Sequence, residues 1–201
     1  MTPKVLGITG GIGAGKSWVS HLFFHLGFPL YNSDERAKQL LHSNEVIKQE
    51  IRQAFGSAVF IDGQIDKKAL AKEVFPNPEK LEILNSIIHP KVGEDFAAWK
   101  GEQCHSAWVI KEAAILFETG TYKHCDKTLL VVAPKELRIT RVMERDCVSK
   151  EEVLLRMERQ WEDEKKQALA DYTLSNDGIA PILPQLNIIL QDLGYPDNKL
   201  D

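Results

Sequence analysis

A glycine-rich segment near the start of the chain has the residue types that bind phosphate groups. Residues 10–17 read G-G-I-G-A-G-K-S and fit the pattern G-x-x-x-x-G-K-[ST]. Glycines let the backbone approach phosphate oxygens closely, and the N–H groups at the start of the following helix supply partial positive charge. We therefore expect Lys16 to reach the outer phosphates of a nucleotide and the Ser17 hydroxyl to bind Mg²⁺.

The predicted nucleotide site spans this segment and one residue beyond it. The alternative is a glycine-rich turn with a solvated lysine, but the flanking strand and helix favour the nucleotide site. The D-x-x-G switch pattern of Ras-like GTPases does not occur in the chain, which favours a kinase with a small acceptor. The residues expected to contact ATP here are Gly11, Ile12, Gly13, Ala14, Gly15, Lys16, Ser17 and Trp18.

Two acidic residues follow predicted strands, whose carboxyl ends line the cleft of an α/β sheet. Asp34 follows the second strand, where a carboxylate can remove the proton of an acceptor hydroxyl. It can equally be an acid that complements the dipole of a helix N-terminus. Glu112 follows a later strand, where it can hold Mg²⁺ through water or be an ordinary exposed acid. Position alone leaves these alternatives open.

A highly charged region after Pro134 carries several arginines. Arg138, Arg141 and Arg145 are spaced to share one helix face. Most charged faces are merely solvated, whereas a kinase needs mobile cations that close over the transferring phosphate and exclude water. The region therefore predicts either a solvated helix or a lid.

Strands and helices alternate along the chain, which implies a parallel sheet with right-handed crossovers. Short buried strands are predicted over residues 4–9, 28–31, 108–111, 128–132 and 172–175,. Helices are predicted over residues 16–26, from Ser149 onward, where an S-x-x-E capping box begins, and over 181–193,.

The stretch between the second and third strands is too long for a plain crossover. It is mainly helical in pattern, with breaks near Gly56, Gly63 and residues 76–78,. We therefore expect a core domain over residues 1–33 and 105–201, a lid at about 138–165 within it, and an inserted helical sub-domain over 34–104.

Composition limits the classes of partner. The net charge of -4 gives no global attraction to nucleic acid or to an anionic membrane,. No apolar run approaches the roughly 20 residues of a membrane helix, and the N-terminal apolar stretch is too short for a signal peptide. The three cysteines are widely spaced, which predicts free thiols in a reducing cytoplasm and neither a disulfide framework nor a zinc site,.

The chain resembles the dephospho-CoA kinase family. Residues 9–17 match that family's T-G-G-I-G-[SA]-G-K-S, and residues 32–38 (N-S-D-E-R-A-K) resemble its D-A-D-x-x-A-[RK]. The family's catalytic base is the second aspartate of this motif, which falls on Asp34. Trp18 replaces the usual threonine, which should leave the Mg²⁺ ligand untouched. Asn32 replaces the first aspartate and removes a carboxylate.

Two further motifs of the family contribute acceptor contacts. Residues 84–90 (L-N-S-I-I-H-P) resemble L-N-x-I-x-H-P, and the resemblance implies that His89 contacts the coenzyme A portion. Taken alone, a His-Pro pair more often starts a helix. Residues 112–118 (E-A-A-I-L-F-E) resemble D-x-P-L-L-F-E, which implies that Glu112, Leu116 and Phe117 line the substrate pocket. The last two can equally be core residues.

The remaining matches lie in the second half of the chain. Arg141, Arg145, Arg156 and Gln160 match an arginine-bearing lid that reads R-x-x-x-R-D and ends R-x-x-x-Q. We expect Arg141 and Arg145 to face the phosphates and Arg138 to lie at the surface. Residues 170–178 resemble A-D-x-x-I-x-N-x-G, where Asn176 can read the adenine edge or serve only in a turn.

The resemblance implies a P-loop NTPase three-layer α/β fold with a parallel sheet, a helical acceptor-binding insertion and a helical lid. It implies transfer of phosphate from ATP, with Mg²⁺, to the ribose 3′-hydroxyl of 3′-dephospho-CoA. Asp34, Lys16, Arg141 and Arg145 would be the catalytic residues. The alternatives are another P-loop kinase, such as a nucleoside monophosphate kinase, and a non-catalytic nucleotide-binding protein. The oligomeric state cannot be read from the sequence.

Overall fold

The computed structural model describes residues 2–195, so Met1 and residues 196–201 of the predicted core domain lie outside the described part. The strands are Lys4–Gly10 (β1), Leu30–Asn32 (β2), Phe60–Ile61 (β3), Gln64–Ile65 (β4), Trp108–Glu112 (β5), Lys127–Val132 (β6) and Tyr172–Ser175 (β7). The helices are Lys16–His25 (α1), Ser33–Ser43 (α2), Glu45–Phe55 (α3), Lys67–Val74 (α4), Pro78–Glu102 (α5), Lys135–Asp146 (α6), Lys150–Met157 (α7), Asp163–Gln167 (α8) and Ile182–Asp192 (α9). Within residues 2–195, no helix has the length and apolarity that a membrane crossing requires.

The chain divides into two compact units. Over the described residues, the sheet unit comprises Pro3–Leu30 and residues 105–195, and the helical unit comprises Tyr31–Cys104 together with Thr2. The assignment of residues 34–104 as an acceptor-binding insertion stays a prediction, because it concerns a role as well as a boundary.

The sheet confirms the predicted α/β class. Its strand order is β2-β5-β1-β6-β7, and β1 runs parallel to both β5 and β6, while β6 runs parallel to β7. Val5, Leu6, Ile8 and Thr9 of β1 are fully buried because helices pack on the sheet. This burial accounts for the absence of polar alternation in the strand after the exposed Lys4,. The glycine-rich segment therefore leaves the central strand.

The end of α1 corrects one predicted boundary. Gly27 has a φ of 92° after the helix, and the N–H of Phe28 donates to the carbonyl of Phe23 at 3.1 Å. The ring of Phe28 packs edge-on against Phe23, with centroids 5.5 Å apart. Because Gly27 and Phe28 complete the helix C-terminus, β2 begins at Leu30 and not at Phe28.

The helical unit is organised around α5, which has 25 residues and packs against α2, α3 and α4. Asn77 caps this helix, and its side chain accepts hydrogen bonds from the N–H groups of Glu79 and Lys80. Pro90 lies inside α5. The alternative in which His89 and Pro90 begin a helix is therefore wrong; Pro78 occupies the helix start, where a missing N–H costs nothing.

A short antiparallel hairpin, β3–β4, lies where the sequence suggested only a break. Its turn residues Asp62 and Gly63 have φ values of 50° and 77°, and Phe60 pairs with Ile65. An Asp-Gly pair favours this kind of two-residue turn, since both positions need positive φ. The dipeptide was therefore the signal that the sequence interpretation missed.

The charged region after Pro134 folds largely as its capping signals predict. Ser149 caps α7, and its hydroxyl accepts a hydrogen bond from the N–H of Glu152 at 3.3 Å, which confirms the predicted helix start. The last strand, Tyr172–Ser175, has the predicted bounds. Helix α6 precedes these elements and carries Arg138, Arg141 and Arg145.

Candidate active site

The glycine-rich loop between β1 and α1 adopts a conformation that depends on its glycines. Gly13 and Gly15 have φ values of 80° and 91°, a region that other residues enter only with strain. The N–H of Ala14 donates to the carbonyl of Gly11 at 2.9 Å. Gly15 is the N-cap of α1. The first N–H groups of a helix have no partner within the helix, so those that follow Gly15 can bind an anion.

Helix α6 gives a second reason for glycine in this loop. A Cβ atom added to Gly11 would collide with the guanidinium of Arg138, and one added to Gly13 would collide with the backbone carbonyl of Arg138. The loop thus needs glycine both for its own torsion angles and for close packing against α6.

Glu112, the last residue of β5, holds the start of α1. Its side chain is only 2% exposed, and its Oε1 accepts a hydrogen bond from the Ser17 hydroxyl at 2.6 Å. The ammonium of Lys16 lies 3.7 Å from the same oxygen. The strand register pairs Glu112 with Ile8 of β1, so the carboxylate stands beside the strand that leads into the glycine loop. Glu112 is therefore not the ordinary exposed acid of the alternative interpretation.

The oxygens of Ser17 and Glu112 fit a magnesium site. Mg²⁺ prefers hard oxygen ligands and usually keeps several waters, and a hydroxyl and a carboxylate supply such ligands. Over the described residues, no three His, Cys, Asp or Glu side chains cluster so as to hold a metal. Phosphate oxygens and water would have to complete the coordination, as the sequence interpretation assumed.

A cavity of about 230 Å³ lies beside the loop, and three of the side chains that line it are cationic. Arg141 donates to the carbonyl of Asn176 at 3.1 Å and to that of Gly13 at 3.5 Å. The ring of Trp18 is half exposed. The residues that line the cavity are Gly11, Gly13, Gly15, Lys16, Ser17, Trp18, Arg141 and Arg145. The two arginines expected at the phosphates and the lysine of the loop therefore share one cavity.

Arg145 is held by an acidic neighbour. Asp146 binds Arg145 at 2.7 Å and also binds Arg156 at 2.7 Å. The hydrogen bond from Arg145 lowers the pKa of Asp146, and the same bond raises the pKa of Arg145. The ion pair with Asp146 thus favours one orientation of the Arg145 guanidinium.

Asn176 supports the loop from β7. Its side-chain amide donates to the carbonyl of Ala14 at 2.8 Å, so this hydrogen-bond donor already has a backbone partner. The turn that follows is stabilised by Asp177, whose carboxylate accepts from the N–H groups of Ile179 and Ala180 at 2.8 Å. These bonds lower the pKa of Asp177. The predicted contact of Asn176 with an adenine edge stays a prediction.

Arg138 does not lie at the surface, as the sequence interpretation expected. It is only 9% exposed; its Nε donates to the carbonyl of Ile12 at 3.0 Å, and its Nη1 donates to Asp163 at 2.8 Å. The expectation failed because helical spacing does not reveal which of three arginines on one face meets the neighbouring loop.

Gln160 contacts the same loop from the segment between α7 and α8. Its Oε1 accepts a hydrogen bond from the N–H of Ile12 at 2.7 Å, and its Nε2 donates to the carbonyl of Ala114 at 3.0 Å. The family pattern had marked this residue as part of the lid without giving it a function. Its contacts are long-range in sequence, so no local signal indicates them.

Leu116 and Phe117 belong to the core of the sheet unit. Both are essentially inaccessible; Leu116 packs against Gly7, and the ring of Phe117 lies 5.1 Å from that of Tyr122, centroid to centroid. The structure therefore supports the core alternative, because neither side chain has surface to offer a substrate.

Asp34 lies in the first turn of α2, directly after β2. Asn32 caps this helix, since its Oδ1 accepts a hydrogen bond from the N–H of Glu35 at 2.9 Å. Asparagine and aspartate serve almost equally as caps, so the replacement at position 32 keeps this structural role. Asp34 belongs to the helical unit and Lys16 to the sheet unit, and the role of Asp34 as a base stays a prediction.

A polar cluster fixes the turn that carries Asp34. The carboxylate of Asp95 binds the guanidinium of Arg36 through two hydrogen bonds of 2.8 and 2.5 Å and accepts the Tyr31 hydroxyl at 2.7 Å. These bonds lower the pKa of Asp95, whereas burial and Asp95 raise the pKa of Tyr31. Residues on both sides of Asp34 are therefore anchored to α5.

His89 lies on α5 and is half-buried. Burial lowers the pKa of its imidazole, which favours the neutral ring at physiological pH. A neutral ring can donate one hydrogen bond and accept another. The predicted contact of His89 with the acceptor remains a prediction.

Comparison with known sequences gives a consistent family. The sequence model of the family described as dephospho-CoA kinase matches residues 4–181. A dephospho-CoA kinase of Porphyromonas gingivalis is 40% identical over 190 residues, which cover 92% of this chain and 92% of that protein. A dephospho-CoA kinase of Bacteroides fragilis is 39% identical over 181 residues, which cover 90% of this chain and 88% of that protein.

Solved structures share the fold. The protein TT1252 from Thermus thermophilus has a TM-score of 0.82 and 34% identity, with all of both chains covered (100%). Dephospho-CoA kinase from Campylobacter jejuni has a TM-score of 0.60 and 24% identity, over 96% of this chain and 98% of that one. Shikimate kinase from Acinetobacter baumannii, in complex with shikimate, has a TM-score of 0.55 and 18% identity, over 100% of this chain and 97% of that one. At such identities the last two show the fold alone.

The double requirement for glycine at position 13 gives a testable prediction. Gly13→Ala introduces a Cβ at positive φ and against the Arg138 carbonyl, whereas Gly120→Ala introduces one at a φ of 71° with open space around it. We expect Gly120→Ala to lower the free energy of unfolding by about 1–2 kcal/mol and Gly13→Ala to lower it by at least about 1 kcal/mol more. Urea denaturation measures both; equal losses would contradict the packing argument.

Proposed function

The chain belongs to the dephospho-CoA kinase family, which makes it a phosphotransferase that acts on an alcohol group, and we propose that it phosphorylates the ribose 3′-hydroxyl of 3′-dephospho-CoA with ATP. The observation that carries this proposal is the contact of the buried Glu112 carboxylate with Ser17 and Lys16. This contact places the Glu112 carboxylate, the Ser17 hydroxyl and the Lys16 ammonium together, beside a loop whose conformation suits phosphate binding.

The proposed reaction transfers one phosphoryl group and one proton. The acceptor oxygen forms a bond to the γ-phosphorus, the bond between that phosphorus and its bridging oxygen breaks, and ADP leaves. Asp34 would accept the proton of the 3′-hydroxyl, because its carboxylate stands in the first turn of a helix that directly follows a strand. The loop N–H groups and Lys16 would stabilise the negative charge of the phosphates.

Mg²⁺ is proposed as the metal, with Ser17 as a direct ligand and Glu112 bound to it through water. When bound, it would neutralise charge on the phosphate oxygens. The chain itself contributes the buried carboxylate of Glu112 and the hydroxyl of Ser17. The two groups are hydrogen-bonded to each other.

Arg141 and Arg145 are proposed to bind the phosphates, because both line the cavity that Lys16 and Ser17 also line. Catalysis of this kind consists mainly of positioning and charge stabilisation. The helical unit is proposed to bind the coenzyme A portion of the acceptor, with His89 among its contacts. A cytoplasmic location is proposed because Cys104 and Cys147 are exposed free thiols, as a reducing compartment allows.

Turnover with different acceptors tests the proposed substrate. Release of ADP, coupled to a spectrophotometric assay, should show a kcat/KM for 3′-dephospho-CoA that exceeds that for AMP, CMP and UMP by at least about a hundredfold. Comparable turnover of a nucleoside monophosphate would favour the other kinase class. ADP release that no acceptor stimulates would favour a non-catalytic nucleotide-binding protein.

Substitution of Asp34 tests the proposed base. Asp34→Asn keeps the shape of the side chain and removes its basicity, so we expect kcat to fall by about 10²–10⁴-fold while the affinity for ADP stays within about twofold, less than 0.5 kcal/mol. Glu35→Gln, at the neighbouring exposed position, is the matched control and should keep its activity. An Asp34→Asn enzyme with the turnover of the control would exclude Asp34 as the base.

A further inference from the structure

Both backbone polar groups of Ile12 are bound by side chains from outside the loop. Its N–H donates to Gln160 at 2.7 Å, and the Ile12 carbonyl accepts from Arg138 at 3.0 Å. Glycines precede and follow Ile12 in the sequence, and glycine backbone samples many conformations when it is unconstrained. Side chains from outside the loop therefore select one conformation of it.

Gln160 links the loop to the strand end that carries the buried acid. Its Nε2 donates to the carbonyl of Ala114 at 3.0 Å, two residues after Glu112. The one amide group thus binds a donor on the phosphate-binding loop and an acceptor on the segment after β5. The relative position of Ser17 and Glu112 depends on these same two segments.

The backbone around Gln160 is itself firmly anchored. The N–H of Trp161 donates to the Glu118 carboxylate at 2.9 Å, and the Lys166 ammonium lies 2.9 Å from the same oxygen. Lys166 is completely buried, and an ammonium without water needs a carboxylate nearby. Asp163 adds an ion pair to Arg138 at 2.8 Å.

From these contacts we infer that Gln160 is a positioning residue, which sets the affinity of the loop for the phosphates of the nucleotide. The inference rests on the proposed function, since it assumes that a nucleotide occupies the loop. Gln160 acts by occupying the Ile12 N–H and by fixing the loop against residues 112–114. Without Gln160, the nucleotide must order the loop as it binds. The free-energy cost of this ordering weakens nucleotide binding.

Direct binding of ADP with Mg²⁺, measured by calorimetric titration without any acceptor, tests the inference. Gln160→Met keeps the length of the side chain and removes both hydrogen bonds. Because ADP must then order a loop that these two hydrogen bonds no longer hold, we expect its affinity to fall by about tenfold. Gln167→Met is the matched control: residue 167 is exposed on α8, and its substitution should leave the affinity for ADP unchanged.

Steady-state kinetics distinguish positioning from a general loss of structure. For Gln160→Met we expect the KM for ATP to rise about tenfold while the KM for the acceptor stays at the wild-type value. A purely structural defect would reduce the active fraction, which lowers kcat and leaves both KM values unchanged. Gln160→Asn, which keeps an amide too short to reach both partners, provides the same test should the Met variant fold poorly.

Each outcome has a definite meaning. Weaker ADP binding by either Gln160 variant, with a normal Gln167→Met, supports the inference. Wild-type affinity in a folded Gln160 variant overturns it and leaves the proposed function intact. A wild-type protein that does not bind ADP overturns the proposed function and the inference together.

Discussion

The buried carboxylate of Glu112 is the constraint on which the site depends. A carboxyl group that is only 2% exposed is costly to bury unless it has polar partners, and its partners here include the hydroxyl of Ser17 and the ammonium of Lys16. These contacts join the end of β5 to the start of α1. The backbone positions of Glu112 and Ser17 are fixed by the buried strands β5 and β1, which are paired in register up to Glu112 and Ile8.

The glycine loop does not determine its own shape. Its backbone carbonyls and N–H groups bind Arg138, Arg141, Gln160 and Asn176, which come from α6, from the segment before α8 and from the end of β7. A loop of small residues can approach phosphate oxygens closely, but it is flexible by itself. The surrounding side chains supply the rigidity, so that the loop N–H groups are oriented before a nucleotide arrives.

Sequence patterns predicted what is local and missed what is long-range. The strand of residues 172–175 and the helix start at Ser149 follow from burial and capping signals, which involve only neighbouring residues. The loop contact of Arg138 joins positions 126 residues apart, and helix periodicity cannot select its partner. The hairpin at Gly63 had a local signal in the preceding aspartate, which the interpretation overlooked. The roles of Asp34 and His89 rest on family resemblance, because polar helices look alike in sequence.

The dependence of nucleotide binding on Mg²⁺ tests the central role of Glu112 most directly. Calorimetric titration of ADP, with Mg²⁺ and with a chelator in its place, should be carried out on the wild-type protein and on Glu112→Gln. We expect Mg²⁺ to tighten ADP binding by the wild-type protein about tenfold or more, equivalent to about 1.4 kcal/mol, and we expect Glu112→Gln to lose most of this gain. An equal gain from Mg²⁺ in both proteins would contradict the central role of Glu112.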